Sequence, residues 1–524
     1  MIQVAQILFI LSVLVILHEF GHFIAARIFK VRVEKFYLFM DAGFSLFKKK
    51  IGETEWGIGW LPIGGYVKLS GMIDESMDTA QMSEEPQPWE FRAKPAWQRL
   101  IIMLGGIIVN LLLAWFIYTT MFASVGQKYI STEAIQKNGL AFGEVGKSVG
   151  FQNGDKIVSV DGSLQEKFNW LIIDVLLSDK VILDRNGKKI DLVLTDEQKG
   201  EILGKEGKGF IKARTEITKM YVDSINNKNK TLFEKGDIVT SINNFKVTYF
   251  DQFTDSITKN KNKTIAIAVL RNNKEIVLNT KVDKNGSIGI EKSLFFNHLT
   301  PIKDAYIEEV VNQENKALLT NDKILGINGV RLNYYHEFLN NIKKYKNQTI
   351  SILVLRNNKE IPITVKVNEK SKIGIKFNAK ESDLKIVKKH TIGSAIPAAV
   401  KESWQLFVYN VKQFKLILKP ATGAYKQIKS PVGIARQLPD FWDWEFIWNF
   451  TALFSIGLAF MNLLPIPGLD GGHALFTIAE MVTRRKLSDK AMGYVQTGGM
   501  IILLSLMALT FGKDIYQLIA DKLF

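Results

Sequence analysis

The chain has 524 residues, 47% of them apolar, a formal net charge of +16 and no cysteine. Its length allows several domains, and the missing cysteine excludes a disulfide framework and a cysteine-held zinc site. The positive charge does not point to nucleic acid, because the lysines are scattered and form no concentrated patch; a solvated surface or loops beside an anionic membrane account for it.

Apolar residues gather at both ends of the chain, and the middle is rich in Lys, Asn and Asp. Residues 1–27 are predicted to span a bilayer, being apolar on both sides of His18-Glu19-Phe20-Gly21-His22. They lack a basic leading segment and a small-residue cleavage site, which argues against a signal peptide. Residues 28–99 form a loop before a second span over 100–125, which contains Gly105, Gly106 and Asn110. Small residues of this kind let membrane helices approach closely.

Residues 127–385 contain an internal repeat. The strings around Asp155, Asp237 and Asp322 (NGDKIVSVDG, KGDIVTSINN and TNDKILGING) match one another, and VLRNNKEI occurs twice, from Val269 and from Val354. Asn-Gly and Asn-Asn between alternating apolar runs are hairpin signals. Three small β-rich domains are expected, over 127–217, 218–299 and 300–385.

Residues 393–418 place Ile396, Ala399, Val400, Trp404, Phe407, Val408 and Val411 on one face at helical spacing. Such a helix either lies on the membrane surface or packs inside the protein. A third span covers 446–470 and a fourth 494–511. Basic residues cluster in two places: Arg27, Lys30, Arg32 and Lys35 with Lys94 and Arg99, and then Arg484, Arg485 and Lys486. The positive-inside rule puts both loops in the cytoplasm and the repeats outside it.

His18-Glu19-Phe20-Gly21-His22 reads HExxH. On a helix the two histidines stand one turn apart on one face. They can hold one zinc ion while Glu19 serves as general base toward water. Ionisable groups at membrane depth are costly and usually functional. A catalytic zinc takes a third protein ligand. Asp470 is the first candidate and His473 the second, both in NLLPIPGLDGGH. Its prolines end the third span, and irregular backbone at that depth belongs where it lines a cavity. By rise per residue, His18 lies about 24 Å along its helix, on the same side of the bilayer as Asp470.

HEFGH in the first span, the late NLLPIPGLDGGH and the repeats between spans two and three together resemble the site-2 protease family of intramembrane zinc metalloproteases. The resemblance covers nearly the whole chain. It implies a polytopic α-helical membrane protein with four transmembrane helices, a membrane-associated β loop and three extracytoplasmic PDZ-like α/β domains. His18, His22 and Asp470 would bind one Zn2+, and Glu19 would activate water. Asn462 would hold substrate backbone. The stretch from Gly52 to Lys68 looks like the family's β loop, read here as a hairpin, with Gly64, Gly65 and Tyr66 meeting an unwound substrate strand. Ser430 to Ala435 is similar to the family's GPxGIA stretch, with Ser430 in the usual glycine position. PDZ-like domains add an extended peptide to a sheet edge; here they act in that way or as a size filter. The expected partners are the lipid bilayer, single-span membrane-protein substrates such as an anti-sigma factor or a remnant signal peptide, and an upstream site-1-type protease. The expected location is the inner membrane of a bacterium. The chain departs from the familiar form in having three repeats, where two are usual.

Overall fold

A computed structural model describes residues 2–61, 64–72, 85–204, 210–214, 224–225, 232–234, 237–271, 274–288, 290–291, 306–310, 312–332, 335–369, 371–378, 385–436, 438–439, 441–485 and 489–523. Pro62 and Ile63 of the expected β loop lie outside the described residues, as do Lys235, Gly236, Asn272 and Asn273 of the repeats and Lys486. The chain divides into two compact units: residues 1–127, 388–418 and 424–524, and residues 128–387 and 419–423.

The first unit is built on helices. Among the described residues, four helices are long and apolar enough to cross a membrane. They are α1 (Ile2–Ile28), α2 (Ala96–Ser124), α7 (Trp444–Leu463) and the Gly493–Asp514 stretch of α9 (Asp489–Leu523). Helix α2 is the hub. It packs against α1, α7, α6 (Ile392–Ile417) and α8 (Asp470–Thr483). A part-buried ion pair at 2.5 Å, Arg99 Nη2 to Glu480 Oε1, ties α2 to α8.

The third span, expected over 446–470, ends as a helix at Leu463, and Asp470 at its expected end opens a separate helix. Helix α7 stops at Leu463 because Pro465 has no N–H to continue the ladder. The residue before that proline, Leu464, is pushed to an extended backbone with ψ 141°. Asp470 is therefore the first residue of a new helix, α8.

Helix α6 buries Ala395, Ala399, Ser403, Leu406 and Tyr409, while Ile396, Val400, Trp404 and Val411 are exposed. Of the apolar face read from sequence, Ala399 points inward, Phe407 is half-buried with its ring edge-on to Phe460, and Ile396, Val400, Trp404 and Val411 face outward.

Four strands follow α1: β1 (Val33–Leu38), β2 (Met40–Ile51), β3 (Thr54–Leu61) and β4 (Tyr66–Leu69). Their order is β2-β3-β1-β4. The expected hairpin over 52–68 is not what forms. Strands β3 and β4 both flank β1, β3 parallel to it and β4 antiparallel. The tight turn lies earlier, at Gly52 with φ +64°, and joins β2 to β3. The fully buried ring of Tyr37 explains a glycine in β3: a Cβ on Gly57 would lie 2.2 Å from it.

The second unit holds three copies of one strand–helix–hairpin arrangement among its described residues. The first is β5 (Lys156–Val160), α3 (Phe168–Leu177), β6 (Lys180–Arg185) and β7 (Lys188–Val193). The second is β8 (Ile238–Ile242), α4 (Phe250–Lys259), β9 (Thr264–Arg271) and β10 (Lys274–Lys281). The third is β11 (Lys323–Ile327), α5 (Tyr335–Ile342), β12 (Thr349–Arg356) and β13 (Lys359–Lys366). The same register shift recurs two residues into β5, β8 and β11. Each copy has its own apolar core.

The repeated aspartates are structural. Asp155, Asp237 and Asp322 are almost fully buried, and each receives two hydrogen bonds from one arginine, Arg185, Arg271 and Arg356 respectively, at 2.7–2.8 Å. Two parallel N–H donors match a carboxylate's geometry. The same arginine also donates to a loop carbonyl, at Gly150, Leu232 or Ala317.

Candidate metal centre

His18 and His22 are four residues apart on α1 and both buried. That spacing puts them on one face, with their Nε2 atoms 3.3 Å apart. The face turns toward α2 because of glycine. A Cβ on Gly106 would sit 2.5 Å from both His18 Cε1 and His22 Nε2. A side chain there would fill the space the two imidazoles occupy.

Helix α2 also meets the far side of each ring. His22 Nδ1 donates to the Ile102 carbonyl at 2.8 Å, which leaves the Nε2 lone pair facing inward. Asn110 Nδ2 lies 3.1 Å from His18 Nδ1.

Asp470 comes from the break between α7 and α8. Gly468 supplies φ +92°, a conformation that glycine adopts readily. Gly471 lets the new helix close on the old one, since a Cβ there would lie 2.3 Å from the Leu464 carbonyl oxygen. The result places Asp470 Oδ2 3.2 Å from His18 Nε2 and 3.2 Å from His22 Nε2.

The three ligand atoms thus form a nearly equilateral triangle. A tetrahedral zinc bonded at about 2.0–2.1 Å would separate its ligands by roughly 3.3 Å. Asp470 Oδ2 is buried and has no hydrogen-bond partner among the described residues. Such an acceptor is costly unless something fills the position. Two imidazole lone pairs and a carboxylate oxygen suit a zinc ion, so the residues present fit that metal.

His473, the other sequence candidate, lines the same cavity but is outside this group of ligand atoms. Its ring is held by Gln496 of α9, whose Nε2 lies 3.0 Å from His473 Nδ1. Asn462 Nδ2 is 3.1 Å from His18 Nε2, which places its amide at the mouth of the triangle. Glu19 lines the cavity too, and the backbone N–H of Val67 in β4 donates to its carboxylate.

The cavity has a volume of about 100 Å³. Besides these groups, Tyr66, Leu69, Met103 and Met500 line it. The three β-loop residues differ in their surroundings. Gly64 has open space around it, whereas a Cβ on Gly65 would lie 2.5 Å from Val15 Cγ1 and 2.7 Å from the Tyr37 carbonyl oxygen. Tyr66 donates to Asp41 Oδ1 at 3.0 Å, and its ring stacks on Tyr37. Its side chain is engaged within the sheet.

Asn110, Gly106 and Gln496 were not singled out for the site by sequence reasoning. The available signal for Asn110 was a polar amide inside an apolar span.

Comparison with known proteins agrees with this chemistry. The profile of a family described as "Peptidase family M50" matches residues 6–506. A Vibrio cholerae protein named "Putative zinc metalloprotease" is 27% identical over 97% of this chain and 97% of its own length. One of the same name from Thermotoga maritima is 25% identical, over 96% of this chain and 97% of its own. "Metalloprotease MmpA" of Caulobacter vibrioides is 28% identical over 41% of this chain and 58% of its own.

Proposed function

The chain belongs to peptidase family M50, a zinc metalloprotease family, and on that premise we propose that it cleaves peptide bonds within the membrane-embedded segments of single-span proteins. The observation that carries the reading is the triangle of His18 Nε2, His22 Nε2 and Asp470 Oδ2 at 3.2–3.3 Å, held between helices apolar enough to cross a bilayer.

Zinc is the cofactor, and His18, His22 and Asp470 are the residues that would hold it. When bound, the ion polarises the scissile carbonyl and acidifies water. Glu19 accepts the proton of the attacking water and delivers it to the leaving nitrogen. The Val67 N–H holds the carboxylate of Glu19 in the cavity.

A helical substrate hides its amides in its own hydrogen bonds and must be unwound before cleavage. Strand β4 is an edge of its sheet and lines the cavity through Tyr66, Val67 and Leu69. An extended substrate segment adds to such an edge, with the Asn462 amide holding its backbone beside the metal. Gly65 lets the chain pass close to Val15 and the Tyr37 carbonyl on its way into β4, and Gly64 leaves open space before it.

The chain sits in the inner membrane of a bacterium, with the three repeats outside the cytoplasm. The strand–helix–hairpin copies resemble PDZ domains. They admit substrates already shortened by a site-1-type protease, such as an anti-sigma factor or a remnant signal peptide. The exposed Ile396, Val400, Trp404 and Val411 of α6 face lipid.

The test uses detergent-purified protein and a single-span reporter. Wild type is expected to carry zinc and cut the reporter. Glu19→Gln is expected to keep zinc and lose cleavage, and His18→Ala to lose both. Equal cleavage by all three would remove the reading.

A further inference from the structure

We propose that Asn110 is a positioning residue that fixes the orientation and tautomer of His18, accepting a hydrogen bond from its Nδ1–H through the side-chain carbonyl. The inference rests on the zinc reading of the site. It concerns a residue of α2 that donates nothing to the metal.

Four observations carry it. Asn110 is completely buried in α2, an otherwise apolar stretch at that depth. Its amide lies 3.1 Å from His18 Nδ1. Its Oδ1 is buried and has no hydrogen-bond partner among the described residues. Its backbone is pinned by Ser455 of α7, whose hydroxyl donates to the Asn110 carbonyl at 2.7 Å.

The chemistry of His18 then decides which end of the amide faces it. An imidazole that offers the Nε2 lone pair to a metal carries its proton on Nδ1. An Nδ1–H cannot face an Asn Nδ2 donor at 3.1 Å, so the carbonyl must be the end that meets it. Oxygen and nitrogen of an asparagine amide occupy the same shape and exchange by a half-turn. The Asn110 oxygen has no other bond to break in making that turn.

His22 receives the same treatment from a different group, the Ile102 carbonyl at 2.8 Å. Helix α2 therefore presents one acceptor to each imidazole, eight positions apart in sequence. Ligating histidines generally donate their other ring N–H to such a partner, and losing it weakens metal binding by about 10–100-fold.

The experiment measures zinc affinity by chelator competition on detergent-purified wild type, Asn110→Leu and Asn110→Asp. The 15N chemical shifts of His18 are recorded in zinc-loaded wild type. Leucine keeps the volume and removes the acceptor; aspartate keeps the acceptor. We expect affinity to fall by about 10–100-fold in Asn110→Leu, to be retained in Asn110→Asp, and His18 to be protonated at Nδ1. Equal affinity in all three proteins would overturn the proposal, and so would a zinc-loaded His18 unprotonated at Nδ1. If Asn110→Leu does not fold, the aspartate variant and the wild-type spectrum still decide. Wild type that binds no zinc would instead count against the metal reading itself.

Discussion

Gly21 of α1 and Gly105 of α2 meet backbone against backbone. A Cβ on Gly21 would lie 2.3 Å from the Gly105 carbonyl oxygen, and one on Gly105 would lie 2.6 Å from that of Gly21. Small residues allow this approach in apolar helices, where van der Waals packing drives association. The crossing sits between the two histidines in sequence and sets their distance from α2.

Gly21→Ala should force the two helices apart. Overpacking of this kind costs about 1–3 kcal/mol, and both contacting partners are backbone, which cannot swing away. Thermal unfolding in detergent should show a lower midpoint than wild type, with zinc content reduced as well. An unchanged midpoint would mean that the helices tolerate a wider spacing than the contact implies.

Gly106→Ala should act on the metal more than on the fold. Its new methyl would meet the rings of His18 and His22 at 2.5 Å, and side chains can rotate where backbone cannot. The expected outcome is a folded protein with little bound zinc and cleavage reduced more than about tenfold, given how sharply rates depend on placement. Zinc per chain, measured alongside circular dichroism, checks it.

Gly64→Ala and Gly65→Ala should separate cleanly. The first position opens on free space and the second would clash with Val15 and the Tyr37 carbonyl. We expect near-normal cleavage from the first and a large loss from the second. Tyr66→Phe should cost about 1 kcal/mol of stability through the lost bond to Asp41, with cleavage changed less than about threefold. A severe cleavage defect in Tyr66→Phe would show that its hydroxyl works in the cavity.

Arg356→Ala should destabilise the third repeat by about 3–5 kcal/mol, because it strands the buried carboxylate of Asp322. Limited proteolysis of the full chain should then cut first within the third copy. Asp322→Asn combined with Arg356→Ala should recover part of the loss, since the stranded charge is gone. Identical proteolysis of the single variant and wild type would contradict this.

How far the sequence showed all this depends on how local each relationship is. The two histidines of HExxH share a face by helical geometry alone, so their pairing was legible. Asp470 was reached from its proline- and glycine-rich setting and from resemblance to a family, since nothing in chain spacing brings residue 470 to residue 18. The repeats exposed the three aspartates and the VLRNNKEI string, yet not that the arginine in that string clasps the aspartate. That pairing depends on strand register, which each string alone does not reveal. Likewise the glycines and alternation of 52–68 revealed strands but not their order. With β1 between β3 and β4, Tyr37 lies opposite Gly57, a cross-strand pairing that the string alone does not reveal. Asn110 was legible only as one residue of the second span, since its place beside His18 depends on how closely α2 meets α1 at Gly21 and Gly105.

Two imidazoles of α1 and the first carboxylate of α8 are proposed to share one ion. Diffraction measured on either side of the zinc absorption edge, from crystals of the purified protein, tests it most directly. A single anomalous peak is expected about 2.0–2.2 Å from His18 Nε2, His22 Nε2 and an Asp470 carboxylate oxygen. Zinc bound at His473 in place of Asp470, or a peak remote from α1, would contradict it.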